Sequence, residues 1–168
     1  KWFDALLYVV LYTCTFYTTS QPAMGFEYYI TPAMMLALSA SGWGCLLSAV
    51  LPPQNSTMVG VILVLVVDLI LGMPIFLGDF VQSPLLAVLL SMVSGTRWSV
   101  PMTFMSAVER RHRRGECVHF VQERAAATYA EAGTLFGLDY WWSGIVAMST
   151  QAIVLHAFAL WSLRAASR

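Results

Sequence analysis

A single carboxyl group interrupts the most apolar helix-forming run of this 168-residue chain: Asp68, within Met58-Val59-Gly60-Val61-Ile62-Leu63-Val64-Leu65-Val66-Val67-Asp68-Leu69-Ile70-Leu71-Gly72-Met73-Pro74. A charge is expensive in hydrocarbon, so an acid in such a run faces a bundle interior or a wet cavity and marks a pathway for an ion or substrate. The competing reading is a protonated or hydrogen-bonded structural Asp. No second carboxylate joins it to form an acid dyad, because Asp79 lies past the end of the same run. His156 occupies another apolar run, with no His or carboxylate three or four residues away, and is read as a packed neutral side chain. Ser149 and His156 are about two turns apart, roughly 10 Å, too far for a nucleophile and its base.

Other chemistries find less support. His112, Glu116, Cys117 and His119 follow no recognised metal-ligand spacing and read as a solvated charge cluster. Lys1 is the only lysine, so the chain has no phosphate-binding Gly-Lys-Ser/Thr loop. Cys14, Cys45 and Cys117 are odd in number and far apart, which leaves no closed intrachain disulfide set; the first two lie in apolar runs as small hydrophobes. No catalytic, cofactor-binding or metal-binding residue is assigned.

Asp68 must be positioned by elements suited to lipid. Hydrophobic residues make up 58% of the chain and charged ones 11%, with 9 basic against 9 acidic residues and a mean hydropathy of +0.68. That charge content is under half the roughly 25% of soluble domains, and the absence of a basic excess argues against nucleic acid as a partner. Uncharged windows run from Ala5 to Phe26, Tyr28 to Val67, Phe80 to Thr96 and Tyr140 to Leu163. A hydrocarbon core takes about 20 apolar residues per helix. The expected fold is an all-α, multi-pass integral membrane protein with four transmembrane helices, at about 6–19, 31–51, 57–77 and 141–163. The prolines of Leu51-Pro52-Pro53-Gln54-Asn55-Ser56-Thr57 divide the second window into an antiparallel hairpin. Ala37, Ser39, Ala40, Ser41, Gly42, Gly44 and Ser48 give its first arm a face that another backbone can approach.

Between the third and fourth spans, residues 80–139 are cut by Pro84, Gly95 and Pro101 and carry the polar run Glu109-Arg110-Arg111-His112-Arg113-Arg114-Gly115-Glu116. Short re-entrant or interfacial helices are expected there, at about 84–94 and 101–110, followed by a loop outside the hydrocarbon. The last span has aromatic residues at both ends, Tyr140-Trp141-Trp142 and Trp161, with Arg164 beyond.

This order of parts resembles the C-terminal half of the membrane domain of an ABC transporter of the G subfamily, an ABC-2 type domain. Two segments carry the likeness: Leu51-Pro52-Pro53-Gln54-Asn55, similar to the inner turn between the fourth and fifth helices, and Gly95-Thr96-Arg97-Trp98-Ser99-Val100-Pro101, similar to the Arg-Trp/Tyr segment after the fifth. The resemblance covers nearly the whole chain. It implies helices three to six of a six-helix unit within a longer protein, with the first two helices and an ATP- and Mg-binding domain upstream of Lys1. It also implies a homo- or heterodimer with a second half-transporter, contact with membrane lipid, and a small-molecule or lipid substrate moved along the dimer axis. The fifth helix of the family is here 57–77. Where relatives carry a Gly-Leu-Leu plug this chain reads Gly72-Met73-Pro74, with Met73 and Ile75 as the residues able to close a pore. Asp68 has no counterpart in the resemblance; with Met73 and Ile75 it forms the candidate translocation path.

Orientation draws on two signals that disagree. Arg97, Arg110, Arg111, Arg113, Arg114 and Arg124 precede the last span, and a positive-inside bias would place that loop in the cytoplasm. The resemblance places it outside and is preferred, because Glu109, Glu116, Glu123 and Glu131 balance the loop. The glycosylation sequon Asn55-Ser56-Thr57 is then cytoplasmic and unmodified. The alternative function is a non-catalytic membrane subunit or scaffold whose small-residue face serves only helix association.

Overall fold

The structure, a computed structural model, describes residues 2–20, 24–70, 72, 92–115 and 139–166. Among them every regular element is a helix: α1 (Trp2–Ser20), α2 (Phe26–Val50), α3 (Pro53–Val64) continued by a π-helical turn (Leu65–Ile70), α4 (Gly95–Arg113) and α5 (Tyr140–Ala166). The all-α expectation holds. Two of these helices, Phe26–Val50 and Tyr140–Ala165, are long and apolar enough to cross a membrane. The other two expected spans fall short among the described residues. α1 ends in Thr13, Thr15, Thr18, Thr19 and Ser20, and the apolar helix Gln54–Asp68 has 15 residues, about 22 Å at 1.5 Å per residue against a core of about 30 Å.

Prolines decide several boundaries differently from expectation. Pro32 lies inside α2, which starts at Phe26 rather than at residue 31, and Pro101 lies inside α4, which is one helix from Gly95 rather than a short piece from 101 to 110. Each proline lies in the N-terminal half of its helix and is buried, where neighbouring helices offset the one lost backbone bond. The hairpin break is tighter than expected as well. Leu51 and Pro52 are extended and Pro53 opens α3, where its missing N–H costs nothing because a first-turn donor has no helical partner. Residues 84–91 of the other expected short helix lie outside the described residues.

Among the described residues α2 and α5 run parallel and make the most extensive contact, and α1, α3 and α4 run antiparallel to them. Gly42 permits that contact: a Cβ there would lie 2.9 Å from the Leu155 Cβ and 3.2 Å from the His156 ring. At Gly44, by contrast, a Cβ would meet open space. Gly144 plays the same part between α5 and α4, where a side chain would strike Met102. Around that crossing Trp98, Met102, Ala147 and Met148 form the buried cluster, flanked by Met35, Met92, Trp141 and Ile145.

Among the described residues, polar side chains share the interior with apolar ones while many large apolar side chains lie outside. Thr13, Ser39, Ser94, Arg97, Ser99, Ser143 and Gln151 are buried, while Leu7, Leu11, Met58, Ile62, Ile153, Val154, Phe158 and Leu160 face outward. Water would penalise such a continuous apolar exterior. The hydroxyls of α1 follow the same logic: Thr15, Thr18, Thr19 and Ser20 donate to the carbonyls of Leu11, Cys14, Thr15 and Phe16, so a helix rich in hydroxyls shows few free donors on its surface.

Candidate functional site: a carboxylate clasp at mid-depth

The site begins with a defect in a helix. After Val64 the backbone widens into the π-helical turn that carries Asp68, and such turns alter which carbonyls remain available for outside partners. The Asp68 carbonyl takes one: Thr96 Oγ1 donates to it over 2.8 Å. The Asp68 carboxylate takes another. Ser94 Oγ donates to Oδ1 over 3.3 Å, and Thr96 Oγ1 lies 3.4 Å from the same oxygen. Ser94 and Thr96 are 2.9 Å apart through their hydroxyls, so the three residues form one connected polar unit.

The same serine starts α4. Ser94 is extended and its Oγ accepts the Arg97 backbone N–H over 3.4 Å, the N-cap arrangement that satisfies one of the free donors of a helix start. The carboxylate therefore lies beside the positive end of the α4 dipole, which supplies part of the compensation that an isolated acid would lack. No basic side chain pairs with Asp68 among the described residues. Gly72 packs against the clasp so closely that a Cβ would strike the Asp68 carbonyl and the Thr96 hydroxyl.

Depth follows from neighbours. A Cβ at Gly95 would meet Leu36 and Ser39 of α2, and Gln151 of α5. At about 1.5 Å per residue, Ser39 lies roughly 20 Å from the Phe26 end of α2 and Gln151 roughly 16 Å from the Tyr140 end of α5. α4 thus begins in the middle of the bundle and leaves at the end where α2 and α5 begin. It is a helix of 19 residues starting at Gly95, where a short piece from 101 to 110 was expected. Gln151 braces the start, its Nε2 donating to the Val93 carbonyl over 2.5 Å while its Oε1 is buried without a hydrogen-bond partner.

A cavity of about 510 Å³ opens beside the clasp, between α2 and α3; Asp68, Gly95, Ser39, Trp43, Leu47 and Val64 are among its lining residues. That volume lies within the roughly 300–1,000 Å³ of small-molecule pockets. At the opposite end of α4 the molecule has a polar rim. Arg110 pairs with Glu27 over 3.5 Å and stacks 5.8 Å from the Tyr28 ring, which in turn meets Trp141 edge-on. Arg113 pairs with Glu109, and that hydrogen bond, followed by the Glu109 charge, raises its guanidinium above the usual arginine range.

Of the residues singled out from sequence, Asp68 lines the cavity and Arg97 lies in the first turn of the helix whose start holds it. Trp98 is packed in the buried cluster instead, and Arg97 is 9% exposed. Met73 and Ile75 lie outside the described residues, as do His119 and Cys117. His156 is packed beside Gly42, its Nδ1 donating to the Ala152 carbonyl over 2.7 Å. Cys14 and Cys45 are free thiols, and no group of metal-ligating side chains occurs among the described residues. Ser94, Thr96, Ser39 and Gln151 were not singled out from sequence as site residues. Ser94 had a legible signal, since a Ser before Gly-Thr-Arg-Trp is a helix N-cap pattern; Gln151 had one as the only amide in its apolar run.

No protein-family model, curated protein or solved structure matches this chain.

Proposed function

We propose that this chain is the multi-pass membrane part of an ATP-driven transporter of the ABC G-subfamily type, moving an apolar or amphipathic substrate. ATP and Mg would act in a nucleotide-binding domain outside this sequence. In this reading the segments that hold α1 and α3 join α2 and α5 in crossing the membrane, and a second half-transporter completes the pathway. The observation that carries the reading is the Asp68 clasp: a carboxylate held at mid-depth by a helix start, with no basic partner among the described residues, beside a cavity large enough for a small molecule. A bundle built only for association gains nothing from an acid there, because burying it costs several kcal/mol unless it is compensated. The many large apolar side chains on the outside of the bundle support lipid as its surroundings.

The test uses the full-length protein in inside-out vesicles, with uptake of a fluorescent amphiphile measured with and without ATP. Uptake should require ATP, and Asp68→Asn should reduce it at least tenfold while leaving the amount of assembled dimer unchanged. Uptake without any ATP dependence, or an open reading frame with no Gly-Lys-Ser/Thr loop before Lys1, would end the proposal.

A further inference from the structure

We propose that the cavity between α2 and α3 binds an amphipathic organic cation, its charged head against the Asp68 carboxylate and its apolar body against Trp43, Leu47 and Val64. This rests on the reading of the Asp68 cavity as part of a transport path, and it names the substrate class. Charge comes first. Ser94 donates to Oδ1 and Thr96 lies 3.4 Å from the same oxygen while donating to the Asp68 carbonyl, and no cationic side chain pairs with the carboxyl group among the described residues. Hydroxyls and a helix N-terminus orient dipoles toward the carboxyl group, but neither brings a full positive charge to it. A ligand that brings one positive charge completes the balance.

The lining selects what kind of cation. A metal ion or hydrated alkali ion needs several oxygen ligands, and no group of three His, Cys, Asp or Glu side chains that could hold one occurs among the described residues. The walls are instead largely aliphatic, with Trp43 as an aromatic face able to attract an onium group. Ser39, Ser48, Ser56 and Thr57 add hydroxyls along the same cavity. A compact onium head on an apolar body fits both features, whereas a neutral lipid would leave the carboxylate unmatched and an anion would be repelled.

Binding of tritiated tetraphenylphosphonium to the purified full-length protein in detergent, read by scintillation proximity, tests this. Saturable binding is expected, with triphenylphosphine oxide, a neutral relative, competing at least tenfold more weakly than unlabelled tetraphenylphosphonium. Asp68→Asn should weaken binding at least tenfold. Should that variant fail to fold, Gly44→Leu provides a second route: a Cβ at 44 meets nothing within 4 Å, and the longer side chain extends from a cavity-lining position. It should weaken binding while the melting temperature is kept. Equal affinity for the charged and neutral compounds, or unchanged binding in a folded Asp68→Asn protein, overturns the inference. The two proposals separate cleanly. ATP-driven uptake of a neutral amphiphile with no phosphonium binding sinks the cation site and leaves the transporter. Asp68-dependent phosphonium binding without ATP-driven uptake does the reverse.

Discussion

Replacing Thr96 by Val removes one hydroxyl and keeps the side-chain shape, so it isolates the clasp. The hydroxyl donates its proton to the Asp68 carbonyl over 2.8 Å and also lies within reach of Oδ1 and Ser94. A hydrogen bond of this type is worth about 0.5–1.5 kcal/mol net, and a buried carbonyl left unpaired costs about 1–3 kcal/mol. Interhelical hydrogen bonds in membrane bundles average nearer 0.6 kcal/mol, with a maximum near 1.7. Because Thr96 is half-buried rather than fully so, a loss of about 1–2 kcal/mol is expected. At about 2–4 °C per kcal/mol for a chain of this size, the melting temperature of the purified protein should fall by roughly 3–6 °C. Thr96→Ser keeps the hydroxyl and should melt within about 1 °C of the parent on that scale. Ser94→Ala removes both a helix cap, worth about 1 kcal/mol, and a bond to the carboxylate. Since the two hydroxyls touch, the double variant should depart from additivity by at least about 0.5 kcal/mol. Superimposable melting curves for Thr96→Val, Thr96→Ser and the parent would show that the contact carries no energy and that the clasp argument is mistaken.

Further outcomes follow from packing, charge and topology. Gly42→Ala should destabilise by about 1–3 kcal/mol, because its Cβ would crowd the Leu155 Cβ. Gly44→Ala, in open space on the same helix, should be neutral or stabilising by up to about 1 kcal/mol; equal melting of the two variants would contradict the parallel α2–α5 contact. Arg110→Ala and Glu27→Gln should each cost less than about 1 kcal/mol, since the Glu27 side chain is exposed and that of Arg110 partly so, and a denaturation midpoint displaced by more than that would reveal a hidden role for the rim. Translation with microsomes should leave Asn55 unglycosylated although it is exposed at the start of α3; a glycosidase-sensitive gel shift would reverse the proposed orientation.

How much of this was legible in sequence depends on the range over which each feature is set. Helix α5 is local: aromatic ends, an uncharged run and a terminal Arg place it at 141–163, against an observed Tyr140–Ala166. The hairpin at Leu51-Pro52 is local too, although Pro53 works as a first helical residue and the helix starts before residue 57. Pro101 misled because an isolated proline is weighed by its missing donor, whereas the surrounding helices decide whether that loss is tolerated. Asp68 was visible as an anomaly of composition. Its partners were not, since Ser94 and Thr96 lie 26 and 28 residues further on, and only tertiary packing brings them to it. The π-helical turn has no local signature either; a run such as Leu65-Val66-Val67-Asp68-Leu69-Ile70 reads as ordinary helix.

The clasp also explains why the chain breaks a helix at mid-depth rather than continuing it. A basic residue on a neighbouring helix could have compensated Asp68, but a buried ion pair locks both partners and leaves nothing for a ligand to supply. A helix N-terminus with two hydroxyls offers partial charge, so Asp68 is held in position with no basic side chain paired to it among the described residues. That arrangement requires α4 to start inside the bundle, with Gly95 admitting Leu36 and Ser39, Gly72 admitting the Asp68 carbonyl, and Gln151 tying down Val93. Each of these costs packing or hydrogen-bonding that a plain bundle would keep: two glycines in tight quarters, an unpartnered amide oxygen, and a widened helical turn. Stability alone does not account for that set of concessions. The proposed cation site accounts for it, because such a cavity takes a positive charge from outside and later releases it.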